Sequence, residues 1–148
     1  MTTPSTEEIG PANPVFLIRP GYPLDHSLIV DSWIESDKNS ERARSAGRCY
    51  MREQKRVIRD ILAKTTIVTL VAVVPDEQDA IFGWTVVDLS SNVIHYVYVK
   101  KSARKMGIAK ALLHDFIHKD CEYPYKPVFE ELTPKIPDNW SFNPYRAW

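Results

Sequence analysis

Two cysteines, Cys49 and Cys121, are all that the 148 residues contain. They form no CxxC pair, which excludes a dense disulfide framework and argues against a structural zinc site. A surplus of one charge is also lacking. Nineteen Lys plus Arg balance nineteen Asp plus Glu, which argues against a strongly basic nucleic-acid binder or a polyacidic tail. Long hydrophobic runs are missing too. The longest, residues 67–74, is interrupted by Thr69 and falls far short of the ~20 residues a membrane helix needs. Residues 1–14 have neither the basic start nor the apolar stretch of a secretory leader. The expectation is a soluble protein of a reducing cytoplasm, with no membrane partner. No internal repeat or low-complexity tract occurs.

What is present is a chain of single-domain size, 44% apolar and 11% aromatic, which suits a globular core. Its eleven prolines parse it. None falls in 24–74 or in 76–123, so regular elements belong there. Residues 1–13 read as a flexible arm. Residues 14–148 read as one domain whose last stretch, 133–148, is an irregular aromatic tail.

An apolar run at 15–19, stopped by Pro20, predicts a strand. Pro23 opens a helix over 24–36, where Leu24, Leu28, Trp33 and Ile34 recur at helical spacing. A second helix is predicted over 41–64, broken near Gly47, with Val57, Ile58, Ile61 and Leu62 as its apolar stripe. Three β-rich runs follow at 66–74, 81–89 and 93–100. Their short connections make an antiparallel meander. Residues 108–119 carry helical spacing again, and 128–132 reads as a last strand. A strand, helix and strand in succession imply a parallel crossover. The fold class is therefore α+β, with a mixed sheet that is antiparallel first and parallel at its last pair, and helices on both faces.

The segment from Val97 to Lys110 is the informative one. A strand ends, a basic loop follows, and a helix opens at Gly107. The first turn of a helix leaves amides unpaired and adds positive potential. Gly107 lacks a Cβ, so a ligand can approach the backbone. Arg104, Lys105 and Lys110 add charge, and the turn suits a pyrophosphate. Five basic residues lie in the eleven from Lys100 to Lys110, but the neutral chain and the lack of a binding motif argue against nucleic acid as the partner.

Here the chain resembles the GNAT superfamily of N-acetyltransferases, over roughly residues 15–132. That family's central motif, Arg/Gln-x-x-Gly-x-Gly/Ala at the start of the helix after its fourth strand, is matched by Arg104-Lys105-Met106-Gly107-Ile108-Ala109. Val99 stands at the apolar strand position five before the Arg. Lys101 departs from the proline often found three before it. Ile18-Arg19-Pro20 is similar to the family's first strand. The resemblance implies an acetyl-CoA-dependent transfer to an amine of a small molecule or protein. Its alternative is a catalytically inactive GNAT-fold module that binds acyl-CoA or a protein. The implied acetyl-CoA contacts are Val97 and Val99, along which the pantetheine arm would run, and the turn Arg104, Lys105, Met106, Gly107, Ile108, Ala109 and Lys110. In these positions backbone amides matter more than side chains. Compact members of the family occur in phage genomes, so a phage origin is a further expectation. A homodimer is left open.

The resemblance also implies two proton-handling groups. His95, nine residues before Arg104, stands where a family member that acetylates arylalkylamines has a His, and is the expected base. Strand alternation places it with Val97 and Val99, opposite Ile94, Tyr96 and Tyr98. An ordinary imidazole, titrating near ~6.5, suits the role. The family's acid is commonly a Tyr beyond the fifth strand. Tyr145 is the nearest candidate, with Tyr98 behind it. The tail, with its three prolines, predicts loss of the sixth and seventh strands, and Trp140, Phe142, Tyr145 and Trp148 then cover an apolar face or a subunit contact. Asp25, Asp31, Glu35 and Asp37 would either attract a cationic amine or form the wet side of a helix. Cys49 and Cys121 are expected to be buried spectators, and His114 and His118 a solvated pair without a third metal ligand.

Overall fold

In the computed structural model the described residues are 15–38, 40–124 and 136–147. The predicted arm at 1–13, the predicted strand at 128–132 and Trp148 lie outside them. Six strands form one sheet in chain order. β1 (Leu17–Pro20), β2 (Ile67–Val74), β3 (Glu77–Asp88) and β4 (Val93–Val99) are antiparallel neighbours. β5 (Cys121–Tyr123) and β6 (Trp140–Phe142) then join in parallel. Pro20 is itself the last residue of β1, a position that an edge strand tolerates because no ladder donor is needed on the outer side.

Helices α1 (His26–Asp37) and α2 (Glu41–Leu62) cover one face. Ile29, Val30, Trp33, Ile58 and Ile61 pack there on Val71, Val73, Trp84, Val86 and Tyr96. Trp33 stacks on Tyr96 with centroids 4.9 Å apart, and Trp84 Nε1 donates to Ser32 Oγ at 2.8 Å. The expected break in α2 is at Gly47, whose φ of 63° and ψ of −142° are not helical. Ser40 opens α2 by accepting from the Ala43 amide at 3.1 Å. Helix α3 (Ile108–Leu112) lies on the opposite face, where Ile108, Leu112 and Phe116 meet Ala72, Val87, Val97 and Val99.

Four expectations are corrected. The helix over 108–119 stops at Leu112 and continues as a 3-10 turn, His114–Phe116. Its released carbonyls serve the tail: Phe116 O accepts from Trp140 Nε1 at 3.1 Å, and Lys119 O accepts from Asn139 Nδ2 at 2.6 Å. The tail is not wholly irregular, because Trp140–Phe142 pairs residue for residue with Cys121–Tyr123 and supplies the sixth strand thought to be missing. Ile94 does not share the face of Tyr96. A bulge in the β3–β4 register leaves His95 without a partner in β3, and Ile94 is thereby turned into the α3-side core with Val97 and Val99. Cys49 is exposed, whereas Cys121 is buried as expected.

Candidate functional site

β4 and α3 meet at a junction built by local backbone geometry. β4 ends at Val99, a 3-10 turn (Lys101–Ala103) follows, and Arg104 returns to extended backbone. Lys105 and Gly107 then adopt positive φ, 69° and 82°. A Cβ built on Gly107 would meet no atom within 4 Å, so the space beside this backbone is open. The first bond closing back onto the loop runs from the Ala111 amide to Gly107 O, 3.0 Å. The amides of Ile108, Ala109 and Lys110 lie upstream of it in the first turn, where the helix itself supplies no i−4 carbonyl. Lys105, Met106, Gly107 and Lys110 are exposed, and Ile108 and Ala109 are buried against the sheet.

Gly83, which the sequence reading did not single out, holds this junction together. A Cβ there would lie 2.5 Å from Tyr98 O and 3.3 Å from Ile108 Cγ2. Only a bare backbone on β3 lets the end of β4 and the start of α3 come so close. A lone Gly inside a β-rich run was the available signal.

Val97 and Val99 have buried side chains, so whatever they present to a ligand is backbone. The Lys100 amide donates to Phe82 O at 2.7 Å. Alternation then turns the N–H and C=O groups of Val97 and Val99 away from β3, toward β5. Among the described residues β5 pairs with β4 at Val93 alone, through Glu122. Beyond that rung no described strand pairs with this edge of β4, and Arg104 Nε donates to Val99 O at 3.2 Å.

His95 is 4% exposed, and its Nδ1 has no hydrogen-bond partner. Burial is the main reason its pKa falls from 6.5 to about 4. Asp88 opposes the shift, while Lys64 and Arg146 add to it. The expected ordinary imidazole is therefore corrected: His95 is neutral at pH 7 but a weak proton acceptor while buried. Asp88 is engaged elsewhere, accepting from the Ser90 amide at 3.0 Å and the Ser90 hydroxyl at 2.7 Å. Tyr145 sits in the 3-10 turn Pro144–Ala147, which packs on both β4 and β5. The Tyr145 side chain itself is 86% exposed. Tyr98 stacks on Trp84, centroids 5.8 Å apart, on the α1–α2 side of the sheet.

The acidic residues of α1 and its approach divide sharply. Asp25 is buried in a two-pronged bond with Arg19, at 2.8 and 3.2 Å, and accepts from the Tyr22 amide at 2.7 Å. Asp37 is buried and accepts from Tyr50 OH at 2.7 Å. Both are structural, neither solvated nor available to an amine. Asp31 and Glu35 line an open depression of about 610 Å³ between α1 and α2, facing Arg48, Arg52 and Lys55. It includes neither His95 nor the loop before α3. His114 and His118 are exposed. Among the described residues no group of three His, Cys, Asp or Glu side chains could hold a metal ion. None of their helices is long and apolar enough to cross a membrane.

No family model and no curated protein matches this chain. Solved structures do. It is similar to a possible acetyltransferase from Clostridium difficile 630, at 16% identity and a TM-score of 0.52, over 87% of this chain and 79% of that one. It is similar to the apo form of YjaB from Escherichia coli, at 19% identity and a TM-score of 0.51, over 70% of this chain and 65% of that one. It is also similar to an acetyltransferase of the GNAT family from Staphylococcus aureus Mu50, at 18% identity and a TM-score of 0.50, over 69% of this chain and 63% of that one. The chain thus spans a little under two thirds of the length of the Escherichia coli and Staphylococcus aureus proteins. At such identities the likeness is one of fold, and the fold is that of the GNAT acetyltransferases.

Proposed function

We propose that this chain is an acetyl-CoA-dependent N-acetyltransferase acting on an amine. The observation that carries the reading is the β4–α3 junction: an outward backbone edge at Val97 and Val99 runs directly into a turn with two left-handed residues and open space beside Gly107. That combination fits an extended arm ending in a pyrophosphate. The arm would pair with the edge as an added strand, and amides around Gly107 to Lys110 would meet the phosphates. Arg104 contributes by holding the strand end through Val99 O, while Lys105 and Lys110 contribute positive potential.

Bound acetyl-CoA would supply the thioester carbonyl; the chain's own groups would handle the acceptor's proton. His95 lies on β4 two residues before Val97, is neutral at pH 7, and has a free Nδ1 to receive that proton. Its depressed basicity favours a relay through water, or a rise in pKa once water and substrate enter. Exposed Tyr145, on the turn beside β4 and β5, is the group available to protonate the departing thiolate.

The test is thermal unfolding with and without acetyl-CoA, with Gly107→Trp as control. Saturation at a hundred times the dissociation constant adds ~2.7 kcal/mol. For a chain of this size the midpoint then rises by roughly 5–10 °C. A rise that the variant loses, followed by release of free thiol with an amine, supports the enzyme. A rise without thiol release leaves a binding module, and no rise at millimolar acetyl-CoA refutes both.

A further inference from the structure

We infer that Glu122 is a positioning residue: it fastens the turn Pro144–Ala147 across β4 and β5 and so closes His95 off from solvent. Glu122 is the middle residue of β5 and forms the single described rung to β4, opposite Val93. Both of its carboxylate oxygens are committed to the tail. Oε1 accepts from Arg146 Nε at 2.7 Å, and Oε2 accepts from Asn143 Nδ2 at 3.3 Å. Asn143 extends the tie through its amide to Tyr123 O at 3.0 Å, and it also turns the tail back on itself, its carbonyl accepting from the Arg146 amide at 3.1 Å.

The fastened turn touches both β4, the strand that carries His95, and β5. Its Arg146 is close enough for the guanidinium to disfavour a second positive charge on His95. Lys64, just past α2, acts in the same direction, and Asp88 on β3 acts against it. The Arg146–Glu122 pair is itself 48% and 34% exposed. Exposed pairs are weak, so the fastening can be released without unfolding the sheet. Release would admit water and acceptor to His95 and remove the nearby cation together, raising the imidazole's basicity when a proton has to be taken up.

This inference rests on the acetyltransferase reading only for the use made of the proton. Its test is independent of turnover: titration of the His95 ring by NMR in the full chain without ligand. His95 is expected to titrate near 4 in the wild type. Glu122→Ala should move it upward by more than one pH unit, toward 6.5. Glu122→Gln, which keeps an oxygen for a tail donor, should fall between. Arg146→Gln, a surface change that leaves the fold intact, should move it in the same upward direction. A wild-type value already near 6.5, or a folded Arg146→Gln variant with His95 unmoved, overturns the assignment. The acetyl-CoA midpoint shift, measured on the same samples, reports on the acetyltransferase reading alone.

Discussion

Arg104 Nε donates to the carbonyl oxygen of Val99, 3.2 Å away and five residues earlier. The first residue of the loop motif therefore grips, through its Nε, the end of the strand that precedes it. Loop and strand edge are fixed to each other before any ligand arrives.

Arg104→Ala should consequently act on the junction more than on charge attraction. The expected loss of stability is about 1 kcal/mol, the value of one net hydrogen bond, or about 3 °C in midpoint. Calorimetric titration with acetyl-CoA at two salt concentrations should give the same salt dependence as wild type. A markedly flatter dependence would make Arg104 a direct phosphate contact.

Two glycines at the junction should lose stability on substitution by alanine for different reasons and by different amounts. Gly107→Ala meets no atom, so only the left-handed backbone is penalised, by about 1–2 kcal/mol. Gly83→Ala drives a methyl to 2.5 Å from Tyr98 O and should cost about 2–3 kcal/mol by overpacking. Urea unfolding of both variants ranks them. A milder effect at Gly83 would mean that β3 and β4 can part there.

Acid should destabilise the fold through His95. The folded imidazole titrates at about 4 and the free one near 6.5, so the unfolded chain binds its proton first as pH falls. Stability is lost from pH 6.5 downward and levels off below 4. The part lost between pH 7 and 4.5 is about 2 kcal/mol. His95→Leu should remove that part of the acid limb while leaving the limb below pH 4. Urea midpoints at the two pH values test it.

The Arg19–Asp25 pair, with side chains 7% and 9% exposed, contributes to the remaining acid limb. Hydrogen bonding to Arg19 lowers the Asp25 pKa against the opposing effect of burial. Its stabilisation is full above pH 3.8 and fades as pH falls through the lower folded value. Arg19→Met leaves a buried carboxylate whose remaining partner is the Tyr22 amide and should cost about 3–5 kcal/mol. Adding Asp25→Asn should recover a large part of that, as a double-mutant cycle would show.

Most of the architecture was legible because local signals and tertiary packing agree. Proline-free stretches bounded α1, α2 and the meander, and Gly47 marked the break in α2. The motif loop was equally legible, since its glycine sits where φ is positive. β5 and β6 were not. Each is three residues long, too short for periodicity to register, and each is held by pairing with a strand elsewhere in the sequence. The shortening of α3 was hidden for a related reason: its helical spacing is real, but Phe116 and Lys119 carbonyls are claimed by Trp140 and Asn139 far along the chain. The bulge at His95 also left no local trace, and one unpaired residue reversed the predicted facing of Ile94.

The single described rung joining β4 to β5 has a kinetic consequence. Strands β1 to β4 have extended ladders of their own, whereas among the described residues the ladder of β5 and β6 reaches the meander at Val93 alone, the rest of their attachment being side-chain packing. Such a seam divides a domain into separate cooperative units. The β2–β4 meander, built from neighbouring hairpins, has short loops to close and condenses early; the parallel half must wait for a distant segment to return. Native-state hydrogen exchange should then open the amides of 121–123 and 140–142 together, well before those of 84–98, so that the half nearest His95 breathes while the loop around Gly107 stays anchored.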